Sequence, residues 1–566
     1  MLSQTSLTTR RQFLGRSALG AGSLLMSLGF LQGCTDHLIP DPDPGSDTPL
    51  YPPDLGDATT ADNWNNGLKT TVTTGLQLVP DVGGFLSAIV DILWPSLGGG
   101  NFNTSIYDDI ENQVNALIAQ ANQKLVLAQQ KAALEGLRDL INKYTLKVSL
   151  GPTSKTLPWP LPDPRPQEWL DIKTAWHDVD TAFTQQLYQF QLAGYEAPLL
   201  PLFAQFANLY MAFYRDPKTI VLDANGQTVY AGANYPLEWG VVWGFDYSDM
   251  DNVAAALHKG ATEFEPYVTQ HYTDTLAALL TAPVDAINNE PFNTANQYTR
   301  KMTVYVLDYK DTWKYYERDQ YPNGSGDAVL FSREIYSDPW GNTFSTTSSS
   351  PTIVLPSPAT QFPTNITVWS GHQLDAVQLT YPPGGGPGGV TQTARMGDQK
   401  GGSASELPLD SVNNPITKFS VSADWDQIDT PSSDTPRNSI QGINTLYFVY
   451  SNGYPSSKFG LKDGQFASGE FGYDTLGYAL SSIYIQGAVA FFNNTANCIV
   501  FGFLRRQKPS DTLKAVARHY ITSPKEYSDD ELAKAFPKLG LSAKSITNEL
   551  RAARKAHWEW MKVHYK

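Results

Sequence analysis

The side chains in this sequence whose types and spacing suggest chemistry are three carboxylates on an amphipathic segment. Asp171, Asp178 and Asp180 lie in residues 166–192, where tryptophan and other apolar residues recur at the spacing of a helix. Acidic groups that line a water-filled channel favour the passage of cations. The same groups also suit the solvated face of an ordinary helix, so the residues alone leave both roles open.

We find no catalytic or cofactor-binding motif in the sequence. HExxH, a GxSxG between a strand and a helix, and the phosphate-binding GxxxxGK[ST] are all missing. No helical pattern follows the glycines of residues 384–389 to offer its amino terminus to a phosphate. We therefore expect a protein that is not an enzyme and that has no cofactor or metal. A hydrolase with an unrecognised site is a further hypothesis, which ranks below the two non-enzymatic functions given at the end of this section.

The amino-terminal segment, residues 1–34, has the features of a bacterial export signal. Arg10 and Arg11 form a twin-arginine signature before a short apolar run that ends at Cys34 in a lipobox-like LQGC sequence. We expect Cys34 to carry lipid, with an uncleaved anchor or an ordinary signal as the alternatives. Residues 35–62, rich in Asp, Pro and Gly, are expected to form a flexible linker. The predicted product is exported and is either a membrane-anchored lipoprotein or secreted.

Composition limits the partners that we expect. The formal net charge is −15, which argues against nucleic acid because phosphate binding needs a concentrated basic surface. The sequence has 2 cysteines. If Cys34 carries lipid, Cys498 has no intramolecular partner, so packed cores rather than disulfides must stabilise the fold.

Residues 197–214 form a charge-free apolar stretch directly after the amphipathic segment. A helix of this length spans about 27 Å, close to the ~30 Å hydrocarbon core of a bilayer. Such a helix is either the centre of a helical bundle or a membrane span. The two are compatible, because a bundle can store a hairpin until it unpacks. The apolar residues assigned to the hairpin are Trp176, Phe183, Leu187, Leu199, Leu202, Phe203, Phe206 and Leu209.

Four blocks of the sequence together resemble a known protein family. The blocks are residues 75–94, 198–216, 243–246 and 296–339. In order and separation they are similar to blocks of the insecticidal crystal delta-endotoxins, the three-domain Cry toxins. The resemblance implies a seven-helix bundle over residues 63–325, whose fourth and fifth helices form a hairpin that enters the target membrane. By position that hairpin comprises residues 166–192 and 197–214, which makes Asp171, Asp178 and Asp180 the pore-lining candidates.

Residues 326–507 differ in character, with Ser, Thr, Gly and Pro between short alternating apolar runs. This pattern predicts an antiparallel all-β domain. Residues 366–381 and 446–453 resemble jacalin-like lectins and the related β-prism middle domain of Cry toxins, which implies three sheets and a receptor-binding apex. Ile499 stands where those lectins carry the Asp of their sugar site, so we expect the standard site to be absent. The receptor-loop candidates are Tyr381, Asn452 and Tyr454.

The last segment, residues 508–566, is too short for the third domain of those toxins and has helical patterns. Trp558 and Trp560 accompany several basic residues in an amphipathic stretch. Such a helix either touches anionic lipid or docks its tryptophan side on the β-prism.

The sequence therefore predicts a multidomain α and β protein with a seven-helix bundle, an antiparallel β-prism and a short helical tail. The function implied by the resemblance is a pore-forming toxin. Its β-prism would bind a glycan or protein receptor on the target cell, and its hairpin would enter the membrane as part of a self-oligomer. The alternative is a lipid-anchored carbohydrate-binding or adhesion protein without pore activity.

Overall fold

The computed structural model of the chain describes parts of the helical region, the β region and the tail. The described residues are 61–77, 82–94, 121–152, 157–223, 227–231, 235–280, 292–322, 324–325, 329–341, 344–345, 348–351, 357–398, 400–426, 439–460, 466–467, 471–473, 477–487, 496–506, 509–528 and 548–565. Arg10, Arg11 and Cys34 lie outside the described residues, as do residues 35–60 of the predicted linker. Ala61, within that linker prediction, is the first residue of a helix.

The helical domain begins with a helix and ends with a short helical turn before the first strand. Its helices are α1 (Ala61–Gln77), α2 (Gly84–Leu93), α3 (Ala121–Leu150), α4 (Gln167–Phe190), α5 (Glu196–Arg215), α6 (Trp239–Val242), α7 (Tyr247–Leu280) and α8 (Phe292–Met302). A π-helical turn (Thr303–Leu307) and a 3-10 turn (Trp313–Tyr316) follow α8.

The helices α4 and α5 match the two segments that the sequence predicted. In α4 the buried residues recur at helical spacing along one side, as the amphipathic pattern requires: Trp169, Ile172, Trp176, Val179, Phe183, Leu187 and Phe190. In α5 every residue from Leu199 to Arg215 is buried. The amphipathic helix therefore lies beside a helix that is enclosed on all sides.

The β region consists of antiparallel sheets. One described sheet contains β1 (Ile335–Tyr336), β2 (Trp340–Gly341), β13 (Tyr478–Gly487) and β14 (Ala496–Arg505). A second contains β9 (Ile416–Asp426), β10 (Ser439–Tyr450), β11 (Phe466–Ala467) and β12 (Phe471–Gly472). A third contains β5 (Asn365–Ser370), β6 (Leu374–Thr380), β7 (Met396–Gly397) and β8 (Ser403–Pro408). The short strands β3 (Phe344–Ser345) and β4 (Ser348–Pro351) pair with each other.

The three larger sheets pack around a common core, as the β-prism prediction requires. Phe419 of the second sheet stacks on Phe501 of the first, with ring centroids 3.8 Å apart. The third sheet contacts both of the others, since β6 packs against β10 and β13. Each sheet therefore faces the other two, and the predicted prism arrangement is confirmed.

A buried polar network joins the helical domain to the prism. The Lys69 ammonium of α1 lies 2.6 Å from the Asp308 carboxylate, and both side chains are 1% exposed. Lys69 also donates to the Tyr478 hydroxyl of β13 at 3.2 Å. Burial lowers the pKa of Lys69 to about 8, although Asp308 opposes the shift. The domain junction is thus held by directional contacts between charged and polar groups.

The two tail helices that the structure describes pack on the helical domain. They are α9 (Pro509–Thr522) and α10 (Asn548–Tyr565). The first of these helices contacts α1 and α2, and the second contacts α3 and α9. Trp558 forms a small apolar cluster with Met561 and with Leu146 of α3. The expected docking of the Trp558 side on the prism is therefore wrong, because the apolar surface that it buries belongs to α3.

Candidate functional site

Aromatic contacts join α4 and α5 along the length of the hairpin. The Trp176 ring stacks on Phe213 with centroids 5.1 Å apart, and Phe190 stacks on Phe206 at 4.6 Å. All of the apolar residues assigned to the hairpin are at most 4% exposed: Trp176, Phe183, Leu187, Leu199, Leu202, Phe203, Phe206 and Leu209. The two helices of the hairpin thus share a continuous apolar interface inside the bundle.

The helix α5 lies at the centre of the bundle, as predicted for a helix that is apolar all round. It contacts α2, α3, α4 and α7. The Tyr210 hydroxyl donates to the carbonyl of Ala256 in α7 at 3.2 Å. A methyl group at Gly260 of α7 would lie 2.3 Å from Sδ of Met211, so glycine lets the two helices approach closely.

Two buried amides interrupt the apolar surface of α5. The indole N–H of Trp313 donates to Asn208 Oδ1 at 2.9 Å, and Asn208 Nδ2 donates to Gln205 Oε1 at 3.3 Å. Buried hydrogen bonds of this kind orient a helix, because an unpaired amide inside a core is costly. Among the helices that the structure describes, none combines the length and the hydropathy needed to cross a membrane.

The three pore-lining candidates occupy different environments on α4. Asp178 is exposed. Asp171 is 40% exposed and lies 3.7 Å from the Lys147 ammonium. Asp180 turns toward α5 instead and accepts a hydrogen bond of 2.5 Å from the Tyr214 hydroxyl. Burial raises the pKa of Tyr214, and Asp180 adds to the shift. The sequence analysis allowed a channel lining or a solvated helix face for Asp180, whereas in this structure its carboxylate faces α5.

The carboxyl end of α5 is fixed by two charged residues that directly follow the apolar stretch, Arg215 and Asp216. Arg215 Nη1 donates to the carbonyl of Gly75 in α1 at 3.1 Å. Asp216 Oδ2 accepts from the backbone N–H of Gly83 at 3.0 Å and from the Tyr144 hydroxyl at 3.2 Å. These contacts tie α5 to α1, to the start of α2 and to α3.

The receptor-loop candidates divide between the surface and the core. Asn452 is exposed, and Tyr454 is 72% exposed, in the turn after β10. Tyr381 is only 2% exposed, and its hydroxyl donates to the carbonyl of Ser481 in the first sheet at 2.8 Å. Its ring packs between sheets, so it is not the surface contact that we expected. Ile499 is fully buried in β14, which leaves no carboxylate at that position.

A polar feature that sequence reasoning missed lies at one end of the third sheet. A Cβ at Gly402 would lie 2.5 Å from Asp375 Oδ2, and one at Gly401 would lie 2.9 Å from Asp375 Oδ1. The Arg395 guanidinium stacks over the Trp369 ring at 4.3 Å. The adjacent glycines Gly401 and Gly402 could have indicated this feature from the sequence, because glycine allows the backbone to approach a carboxylate closely.

The fold and the buried hairpin define a class: a helical bundle with an enclosed apolar helix, joined to a three-sheet β domain. Residues 71–223 match the family model described as "delta endotoxin, N-terminal domain". These residues include all of α4 and α5. The resemblance to the delta-endotoxin family that the sequence suggested is thereby confirmed.

Named relatives and solved structures agree with this match. The chain is 26% identical over 283 residues to the pesticidal crystal protein Cry7Aa of Bacillus thuringiensis, covering 49% of this chain and 21% of the relative. It is 27% identical over 272 residues to Cry8Ba of Bacillus thuringiensis serovar kumamotoensis, covering 47% and 20%. The chain thus spans about a fifth of the length of these relatives.

Two solved toxins share the fold across most of the chain. The insecticidal delta-endotoxin Cry8Ea1 of Bacillus thuringiensis aligns with a TM-score of 0.54 at 19% identity, covering 79% of this chain and 74% of that one. A Cry1Da tryptic core variant from the same species gives a TM-score of 0.55 at 17% identity, covering 79% and 73%. The bundle and the β domain therefore share the arrangement found in these toxins.

Proposed function

We propose that this protein is a pore-forming toxin of the delta-endotoxin type. The observation that carries the proposal is the hairpin of α4 and α5, in which a fully enclosed apolar helix is paired with an amphipathic one inside a delta endotoxin N-terminal domain. The relatives are named pesticidal, and the solved neighbour Cry8Ea1 is described as insecticidal, which supports insects as the target organisms.

On this proposal the hairpin leaves the bundle as a unit. The stacking of Trp176 on Phe213 and the bond from Tyr214 to Asp180 lie within the hairpin, so they persist when it separates from the other helices. Lipid then replaces the apolar surroundings of α5, while α4 turns its polar side to a water-filled lumen. Asp171 and Asp178 would line that lumen in a self-oligomer and favour cations.

We also propose that the prism binds the receptor, a glycan or a protein, through the turn that carries Asn452 and Tyr454. Exposed tyrosines supply large contact area with a polar end, which suits recognition surfaces. No covalent step is needed, so the protein is proposed not to be an enzyme. Its route to the target is proposed to be twin-arginine export through Arg10 and Arg11, followed by lipid anchoring at Cys34 or secretion.

A lipid-anchored carbohydrate-binding or adhesion protein is the second candidate function. The specific observation in its favour is Asp375, whose carboxylate lies against the backbone of Gly401 and Gly402 at the end of a sheet. Carboxylates accept hydrogen bonds from sugar hydroxyls, and small polar sites of this kind give specificity. In this case the helical bundle would serve only as a scaffold.

Dye release from liposomes made with target-cell lipid tests the first proposal. The protein from Thr35 onward is assayed with and without mild trypsin, beside Ala207→Asp and Thr181→Asp. Ala207 is fully buried in α5, and a carboxylate there costs several kcal/mol in hydrocarbon. Thr181 is exposed on α4 and is the matched control, because its charge would remain in water.

The expected result is release by the native chain and by Thr181→Asp but not by Ala207→Asp. Circular dichroism and gel filtration must show that Ala207→Asp is folded, since a buried charge also destabilises the bundle. Release by Ala207→Asp at the native rate would contradict insertion of α5. Binding to glycans or cells without release under any condition would favour the adhesion protein.

A further inference from the structure

The short helix α2 is enclosed by other elements on every side. All ten of its residues, from Gly84 to Leu93, are buried. It contacts α1, α3 and α5 within the bundle and α9 of the tail. The tail therefore completes the burial of a helix that also contacts the proposed membrane helix.

Polar contacts fix α9 to α1 and α2. The Arg518 guanidinium of α9 lies 3.1 Å from the Asp91 carboxylate of α2, and these side chains are 13% and 4% exposed. Near the start of α9, Asn66 of α1 donates to Asp511 at 3.3 Å. Such directional contacts hold one orientation of the tail, unlike apolar packing alone.

The helix α10 in turn holds α9 in place. Arg554 Nη1 donates to the carbonyls of Tyr520 and Ser523 at 2.6 Å each, at the carboxyl end of α9. A cation at this position satisfies terminal carbonyls and interacts favourably with the helix dipole. Trp558 and Met561 anchor α10 on Leu146 of α3. The two tail helices thus contact three helices of the bundle, α9 on α1 and α2 and α10 on α3.

The elements beneath the tail are the same ones that hold the carboxyl end of α5. Arg215 binds the carbonyl of Gly75 in α1, and Asp216 binds the N–H of Gly83 at the start of α2. An unbroken series of packed helices therefore runs from α9 through α1 and α2 to the end of α5. Coupling between distant sites travels through contacts of this kind when they have two arrangements.

We propose that α9 and α10 form an autoinhibitory clasp, which holds α1 and α2 on the bundle and keeps the α4–α5 hairpin packed until the tail is released. The inhibition of pore formation by the clasp rests on the proposed pore function. The coupling of tail opening to the packing of α2 and α5 does not depend on that function. Release of the tail is the step that must precede separation of the hairpin.

Hydrogen exchange measured by mass spectrometry on the full chain tests the coupling, together with dye release. The variants are Arg518→Met, which removes the ion-pair partner of Asp91, and Trp558→Ala, which removes the anchor on α3. Lys555→Met is the matched control, because Lys555 is 76% exposed on α10. We expect both clasp variants to exchange at least about five-fold faster in α9, in α2 and at the carboxyl end of α5, with a similar increase in release rate, as about 1 kcal/mol of weakening gives.

Faster exchange in α9 with unchanged exchange in α2 and at the end of α5 would overturn the clasp. If Arg518→Met does not fold, Trp558→Ala still tests the coupling. The exchange measurement needs no membrane, so it separates the two proposals. Coupled exchange without dye release from any chain would support the clasp and refute the pore function.

Discussion

Acid should loosen the tail through His557 of α10. This imidazole is 4% exposed. Burial lowers its pKa from the ordinary 6.5 to about 4, with Asp91 opposing the shift and Arg554 adding to it. Between these values the folded protein binds fewer protons than the unfolded chain, so the free energy of unfolding decreases as the pH falls through the window. The full effect is about 3 kcal/mol, of which about 2 kcal/mol arises between pH 7 and 4.5.

The perturbation is His557→Gln, and the matched control is His564→Gln on the same helix. His564 is half-buried, and its Nδ1 lies 2.9 Å from the carbonyl of Trp560. Urea unfolding and exchange of the α10 amides are followed at about pH 7 and about pH 4.5. Titration of the carboxylates is common to all three chains, so it cancels in the differences between variants.

We expect the acid-induced loss to be smaller by about 2 kcal/mol in His557→Gln than in the native chain and in His564→Gln. The variant starts from a lower stability at neutral pH if the amide fits the site poorly, but the difference between the two pH values is unaffected. An equal pH dependence in all three chains would refute the reasoning, because it would mean that His557 does not titrate differently in the folded state.

Three further predictions concern the pore, the domain junction and a backbone position. Asp178→Lys should move the reversal potential of the channel toward anions, whereas an unchanged potential would place Asp178 outside the lumen. Since Lys69 has a folded pKa of about 8, below its ordinary 10.5, native stability should gain about 3 kcal/mol as the pH rises from 8 to 10.5. That gain should be missing in Lys69→Met, as measured by urea unfolding. Gly324→Ala should have a far lower urea midpoint of unfolding than Gly194→Ala. Both glycines have positive φ, but of the two only Gly324 would place a Cβ against backbone, 1.8 Å from the Leu76 carbonyl oxygen. Equal urea midpoints for the two variants would contradict this.

The structure differs from the predictions for Asp180 and Tyr381, although helical and strand periodicity already indicated that each residue lies on a buried face. Asp180 lies four residues after Trp176 and three before Phe183, which places it on the buried side of α4. Tyr381 follows Leu379 at the two-residue spacing of a strand, so it shares the inward face even though β6 ends one residue earlier. In both cases the polar group of the side chain suggested a functional surface residue, whereas its position in the sequence indicated the buried face.

The docking of the tail was beyond prediction for a different reason. The amphipathic pattern of α10 showed that one face must be buried, but the identity of the covering surface is a long-range property. Arg518 and Asp91 are separated by 427 residues, and no local preference connects them. The helices, the hairpin and the strands were predictable because their periodicity is local, whereas the partner of each surface is decided by the folded chain.

In the proposed mechanism, the polar contacts around α5 indicate where a trigger for hairpin release must act. Apolar packing along α5 presents a small barrier to insertion, since lipid offers surroundings as apolar as the bundle core. The bond from Tyr214 to Asp180 lies inside the hairpin and moves with it. The contacts of Arg215 and Asp216 are different, because their partners Gly75 and Gly83 stay behind when the hairpin leaves. The same holds for the bonds that join Tyr210 to α7 and Asn208 to Trp313. A trigger that acts on α1 and α2 therefore weakens the polar contacts at the end of α5 that membrane lipid cannot replace, and the tail helices are packed directly against those two elements.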